Sequence, residues 1–119
     1  MDQLPGEFDF NKDCLPSMKA IEDALYVISG KWKLKIIVAL FNGNKRFNEL
    51  QKAVEGISAR ILSNELKALE LNGFVNRTVH NGAPVNVEYQ LTTYSQTLKT
   101  IVHALDDWGT NHRQKLKER

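Results

Sequence analysis

Apolar residues recur at helical spacing along most of this chain and alternate with polar ones in a single stretch. Met18, Ile21, Leu25 and Ile28 fall three or four residues apart after Pro16 and Ser17, which predicts a helix that Gly30 ends. The next segment, about Trp32 to Phe41, carries Ile36, Ile37, Val38, Leu40 and Phe41. It is apolar on most sides and is the expected central buried helix. Asn42, Gly43 and Asn44 form a break. Lys45, Arg46 and Phe47 then read as a short strand, and Asn48 as the cap of a short helix bearing Leu50, Ala53 and Val54. Gly56 stops that helix, and after Ile57 alone Ser58 is a suitable N-cap for a helix that runs to Asn72 and Gly73. Two helices joined by so tight a glycine turn predict a helix-turn-helix.

The alternating stretch follows at once. Val75 and Val79, then Val87, Tyr89 and Leu91, alternate with polar residues on either side of Asn81, Gly82, Ala83 and Pro84, the pattern of a β-hairpin. From about Tyr94 a last helix carries Leu98, Ile101, Val102, Leu105 and Trp108 and ends in a basic tail, Arg113 to Arg119. The expected fold class is therefore mainly α with a small β-hairpin wing, a winged helix-turn-helix. Residues 1–13 are expected to be a flexible arm, and residues 14–119 a single winged-helix domain.

The helix after Ser58 holds the candidate chemistry. Leu62, Leu66 and Leu69 line its inner face, while Arg60, Ser63, Asn64 and Lys67 fall at i, i+3, i+4 and i+7 and form one outer stripe. All four can donate hydrogen bonds and none is acidic. Arg can hold guanine at two acceptors, Asn can pair with adenine, and Ser and Lys can reach bases or phosphates. Ser58 and the small Ala59 would let the helix start approach a groove, where first-turn amides can meet a phosphate. The expected partner is double-stranded DNA. Arg77, His80 and Asn81 are expected near the hairpin tip, as wing contacts to the minor groove or its phosphates. Lys31, Lys33 and Arg46 are candidate phosphate contacts. Lys31 and Lys35 share a helix face that Lys33 does not, so these lysines cannot all reach one backbone. A merely solvated polar face is the competing reading, and the turn and hairpin on either side weigh against it.

Charge sharpens the picture only through its distribution. The net charge of the 119 residues is +2, but residues 1–30 carry two basic and six acidic groups, whereas residues 31–82 carry nine and four. The positive excess thus falls on the helix-turn-helix and hairpin. A lone cysteine, Cys14, excludes an internal disulfide framework. No apolar run approaches the ~20 residues of a membrane span, and the acidic start is unlike a secretory signal, so a cytoplasmic protein without membrane contact is expected. There is no glycine-rich phosphate loop, no metal motif and no histidine positioned for a cysteine nucleophile, so neither an enzyme nor a cofactor is expected. His103, Asp106, Asp107 and His112 share the last helix, but histidines nine residues apart cannot reach one ion within a chain, and no metal centre is expected.

Several linked segments resemble one family. They are Gly30-Lys31-Trp32-Lys33-Leu34-Lys35-Ile36-Ile37, Arg46-Phe47-Asn48-Glu49-Leu50, Gly56-Ile57-Ser58, Leu62 to Glu70, Val87-Glu88-Tyr89-Gln90-Leu91-Thr92, and Leu105 to Gly109. In this order, over about Cys14 to Gly109, the chain resembles the HxlR family of bacterial, MarR-like winged-helix regulators. The resemblance implies a sequence-specific DNA-binding transcription regulator, and because a dimer of this size can block polymerase without extra surfaces, repression is expected rather than activation. It also implies a homodimer on an inverted-repeat operator, built from the first and last helices, with Ile21, Leu25, Ile101, Leu105 and Trp108 at the interface. Several such regulators carry a cysteine where Cys14 stands and respond to oxidants, quinones or aldehydes. This implies a thiol sensor with a small-molecule electrophile or oxidant as partner. A helix start favours an anion there, the neighbouring Asp13 opposes it, and an unreactive thiol is the alternative. The chain departs from the family pattern at Asn86, where a basic wing residue is frequent, and at Ser95, where glycine is usual. The second departure is expected to alter only the strand-to-helix joint. A winged helix used for protein contacts alone is the other reading, and it predicts no salt-dependent DNA affinity.

Overall fold

A computed structural model describes residues 14–118, and the chain forms two compact units, Met1–Gly30 and Lys31–Arg119. The arm expected over residues 1–13 lies outside the described residues. In the first unit, α1 (Cys14–Ile28) begins two residues ahead of the expected start. Pro16 is tolerated there because first-turn amides have no intrahelical acceptor to lose.

The second unit opens with α2 (Lys33–Phe41), which buries Ile36, Ile37 and Leu40. Val38 is exposed, so burial runs along one side of this helix rather than the most sides its apolar pattern suggested. β1 (Lys45–Arg46) is shorter than expected, because Phe47 already belongs to α3 (Phe47–Ala53). The N-cap of α3 is Arg46, not Asn48, since the Glu49 carboxylate reaches back to accept the Arg46 amide at 2.7 Å. Gly56 then turns the chain with φ +86°, a conformation open to glycine at little cost. α4 (Ala59–Leu71) begins where the Ser58 hydroxyl accepts the Ile61 amide at 3.1 Å, as its N-cap position predicts.

The hairpin consists of β2 (Val75–His80) and β3 (Asn86–Leu91), antiparallel, with β1 on the far edge of β3, giving the order β1-β3-β2. Arg77 faces Tyr89, Thr78 faces Glu88 and His80 faces Asn86 in register, while Lys45 and Arg46 lie opposite Tyr89 and Glu88 on the other side. Val75 and Tyr89 are buried, so their shared sheet face meets the core. The chain then makes a 3-10 turn, Tyr94–Leu98, where a continuous helix was expected, and enters α5 (Lys99–Lys117).

The cause of that turn is the joint at Ser95. Its side chain is fully buried, and its hydroxyl donates to the Phe74 carbonyl. The Thr92 hydroxyl donates to the Gly73 carbonyl at 2.6 Å, and the Thr92 amide to Phe74 at 3.1 Å. Two carbonyls left over at the exit from α4 are thus satisfied by residues at the start of the last helical segment. The rings of Phe74 and Tyr94 stack at 5.4 Å across the same joint. The departure from glycine at Ser95 therefore adds a hydrogen bond between distant parts of the chain. Ser95→Ala removes the donor and leaves the buried Phe74 carbonyl with one partner fewer; urea unfolding is expected to show a loss of about 1–2 kcal/mol.

Candidate nucleic-acid interface

The outer face of α4 is set by what its inner face buries. Leu62, Leu66 and Leu69 are at most 1% exposed. At about 100° per residue, Arg60, Asn64 and Lys67 fall on the opposite side, and all three are exposed. Ser63 is half-buried, on the shoulder of the stripe rather than at its centre. Ser58 and Ala59 are exposed at the helix start, beside first-turn amides of which only that of Ile61 meets the Ser58 hydroxyl. This end of α4 therefore offers donors from side chains and backbone together. No carboxylate lies in the stripe, because Glu65 faces elsewhere and is engaged.

Among the described residues two close contacts join a basic side chain to a carboxylate, Lys33–Glu65 and His80–Glu88, and each claims a residue expected at the interface. Lys33 Nζ lies 2.7 Å from Glu65 Oε1, with both side chains about one-fifth exposed. Lys33 is therefore held by α4 rather than free at the surface. Lys31 and Lys35 both lie over the Trp32 ring, at 4.9 and 5.4 Å from its centre. Both remain exposed while resting against the ring. Arg46 is exposed beside the helix-turn-helix.

In the hairpin the expected trio separates. His80 ends β2, and its Nε2 lies 2.9 Å from Glu88 Oε1, which ties it to the neighbouring strand. Arg77 lies three residues earlier, about 10 Å from the strand end. It shares the sheet face of Val75 and Tyr89, opposite to that of His80 and Glu88. Arg77 is thus a mid-strand residue, while His80 and the exposed Asn81 are at the tip. Only the strand register could have revealed this. The pair Lys33–Glu65, thirty-two residues apart in sequence, likewise left no periodic signal.

An open groove of about 920 Å³ lies within the second unit, lined on its apolar side by Leu34, Val38, Ala39, Val54, Val102 and Leu105. Among the described residues no group of three or more His, Cys, Asp or Glu side chains could hold a metal ion, and no helix is long and apolar enough to cross a membrane.

The model of HxlR-like helix-turn-helix proteins matches residues 27–117. The chain belongs to this family. It is 41% identical over 93 residues to the HTH-type transcriptional regulator YtcD of Bacillus subtilis, covering 78% of this chain and 74% of YtcD. Among solved structures, the redox regulator HypR in its reduced form superposes with a TM-score of 0.77 at 38% identity, covering 84% of this chain and 99% of that one. The reduced form of the transcriptional regulator YodB from B. subtilis gives 0.69 at 34% identity, covering 75% and 87%. The fold is accordingly a winged helix, and the chain is an HTH-type, DNA-binding transcriptional regulator. The Ser58 cap sets where its α4 begins. Ser58→Ala is expected to cost about 1 kcal/mol in thermal or urea unfolding, with Ser58→Asp retaining most of the stability.

Proposed function

We propose that the chain is a homodimeric repressor that binds an inverted-repeat operator with α4 in the major groove. The observation that carries this reading is the acid-free, exposed stripe of Arg60, Asn64 and Lys67, opposite a fully buried leucine seam. Arg60 and Asn64 have the hydrogen-bonding pattern to read guanine and adenine edges. Ser58, Ala59 and Ser63 border the groove, and Lys67, Lys31 and Arg46 lie where phosphates would pass. His80 and Asn81 are the wing-tip contacts; Arg77 reaches the duplex only along the flank of the hairpin.

The dimer reading rests on apolar side chains that stay exposed among the described residues. α5 has nineteen residues and buries none, while Ile101, Leu105 and Trp108 are exposed. On α1, Ile21 and Leu25 are more than half exposed. All five are already partly covered, so each can gain only a fraction of the about 1.5–3 kcal/mol of a full burial, and together they favour association. A two-fold dimer would set two α4 helices about 34–36 Å apart, one turn of duplex. A dimer seated on a promoter blocks polymerase without further surfaces, which favours repression.

Cys14 is free and exposed at the first residue of α1. The likeness to HypR, a redox regulator, and to YodB, solved in a reduced form, supports thiol control. Two Cys14 thiols of a dimer can close a disulfide, giving two protons and two electrons to an oxidant. Diamide is expected to produce a covalent dimer on a non-reducing gel and to change DNA affinity, and Cys14→Ser to abolish both effects. Failure of either response to depend on Cys14 rejects the sensor.

The binding reading is tested by fluorescence anisotropy on a duplex that the wild-type chain enriches from random-sequence DNA. Affinity should fall steeply with salt. Arg60→Ala should cost about 1–3 kcal/mol, and Lys67→Ala should reduce the salt slope by about one. A chain that enriches no duplex leaves the protein-contact reading ahead.

A further inference from the structure

The leucine seam decides which side of α4 faces the core, but apolar burial is non-directional and tolerates small rotations. Readout does not. A turn of about 10° carries a group some 6 Å from the helix axis through about 1 Å, enough to spoil a bidentate hydrogen bond. A directional contact from a neighbouring helix can hold that angle more narrowly than apolar packing alone. Glu65 is placed to do so. It is half-buried, on the shoulder of the seam about 60° from its centre and well round from Arg60, Asn64 and Lys67. Its carboxylate meets Lys33 at 2.7 Å. Lys33 is the first residue of α2, the helix that buries Ile36, Ile37 and Leu40. The pair thus runs from the core helix to the outer helix. With both side chains only about one-fifth exposed, loss of either partner would leave a charge poorly served by solvent.

We propose that the Lys33–Glu65 pair is a positioning device that fixes the rotation of α4, so that Lys33 and Glu65 govern DNA specificity without touching DNA. This rests on the DNA-binding reading above and replaces the phosphate contact expected of Lys33. It reverses a simple electrostatic expectation. Glu65 is an acid on the helix nearest the duplex, and neutralising it should on charge alone tighten binding to every sequence. As a positioning residue its loss should instead erode discrimination.

The enriched duplex and a scrambled duplex of equal length are titrated across a salt series with the wild type, Lys33→Gln, Glu65→Gln and the double variant. Each is held at a temperature where far-UV circular dichroism shows it folded. Each single variant is expected to lower the preference for the enriched duplex about fivefold or more. The double variant should be no worse than either single, because one interaction is lost in all three. The salt slope on the scrambled duplex should stay at the wild-type value. A slope reduced by about one in Lys33→Gln, with Glu65→Gln binding both duplexes more tightly, overturns the proposal and makes Lys33 a phosphate contact. Losses that add in the double variant overturn it as well. If the wild type enriches no duplex, the DNA-binding reading fails and this one with it; if the wild type binds and Glu65→Gln keeps its preference, only the positioning role fails.

Discussion

Leu62, Leu66 and Leu69 are withdrawn from water almost completely, and the helical repeat then leaves Arg60, Asn64 and Lys67 no choice but to face outward. Everything around α4 serves that burial. Gly56 carries the turn between the end of α3 at Ala53 and the start of α4 at Ala59; a Cβ there would meet the Trp32 ring only in ordinary contact, so its positive φ of +86°, not crowding, is what favours glycine. Ser58 satisfies one amide of the first turn and leaves others open toward solvent. The same few residues that start the helix therefore also prepare its anion-facing end.

Burial alone gives a face, not an angle or a depth. Those come from polar contacts between segments distant in sequence. The Lys33–Glu65 pair ties α4 to the start of α2. The Ser95 and Thr92 hydroxyls tie the exit of α4 to the start of the last helical segment. Because Thr92 directly follows β3, the second tie also fixes where the hairpin leaves the helix-turn-helix. A hairpin anchored at its base presents its tip, His80 and Asn81, at a set distance from α4. The His80–Glu88 contact then limits how far the His80 ring can wander across the strand pair.

This division explains what could be read in the sequence. The seam, the glycine stops at Gly56 and Gly73, the Ser58 cap and the hairpin are local or periodic features, and each is visible as spacing between residues. Departures appear where an outcome depends on a distant partner. Asn48 has the better capping side chain, yet Arg46 takes the cap because Glu49 reaches back to its amide and β1 has already paired with β3. Val38 looks like core by composition, but α2 buries only one side. Arg77 looks like a tip residue until register sets it opposite Tyr89. Ser95 looks like a minor change at a joint and proves to be a fully buried donor. Lys33 carries the same charge as its neighbours Lys31 and Lys35, and nothing in its spacing announces Glu65 as its partner.

The same distinction bears on how control could work. The residues that would read DNA all belong to the second unit, whereas Cys14 heads a helix of the first. The leucine seam, the Ser58 cap and the Lys33–Glu65 pair all lie within the second unit. In the proposed dimer a change at Cys14 would alter the relation between two copies, because α1 and α5 carry exposed apolar side chains. Two α4 helices read an inverted repeat only when their separation matches the turn of the duplex, and an error of a few ångströms in that spacing defeats both half-sites at once. On the proposed reading, recognition is therefore built to be rigid within each protomer, and regulation acts on the spacing between protomers.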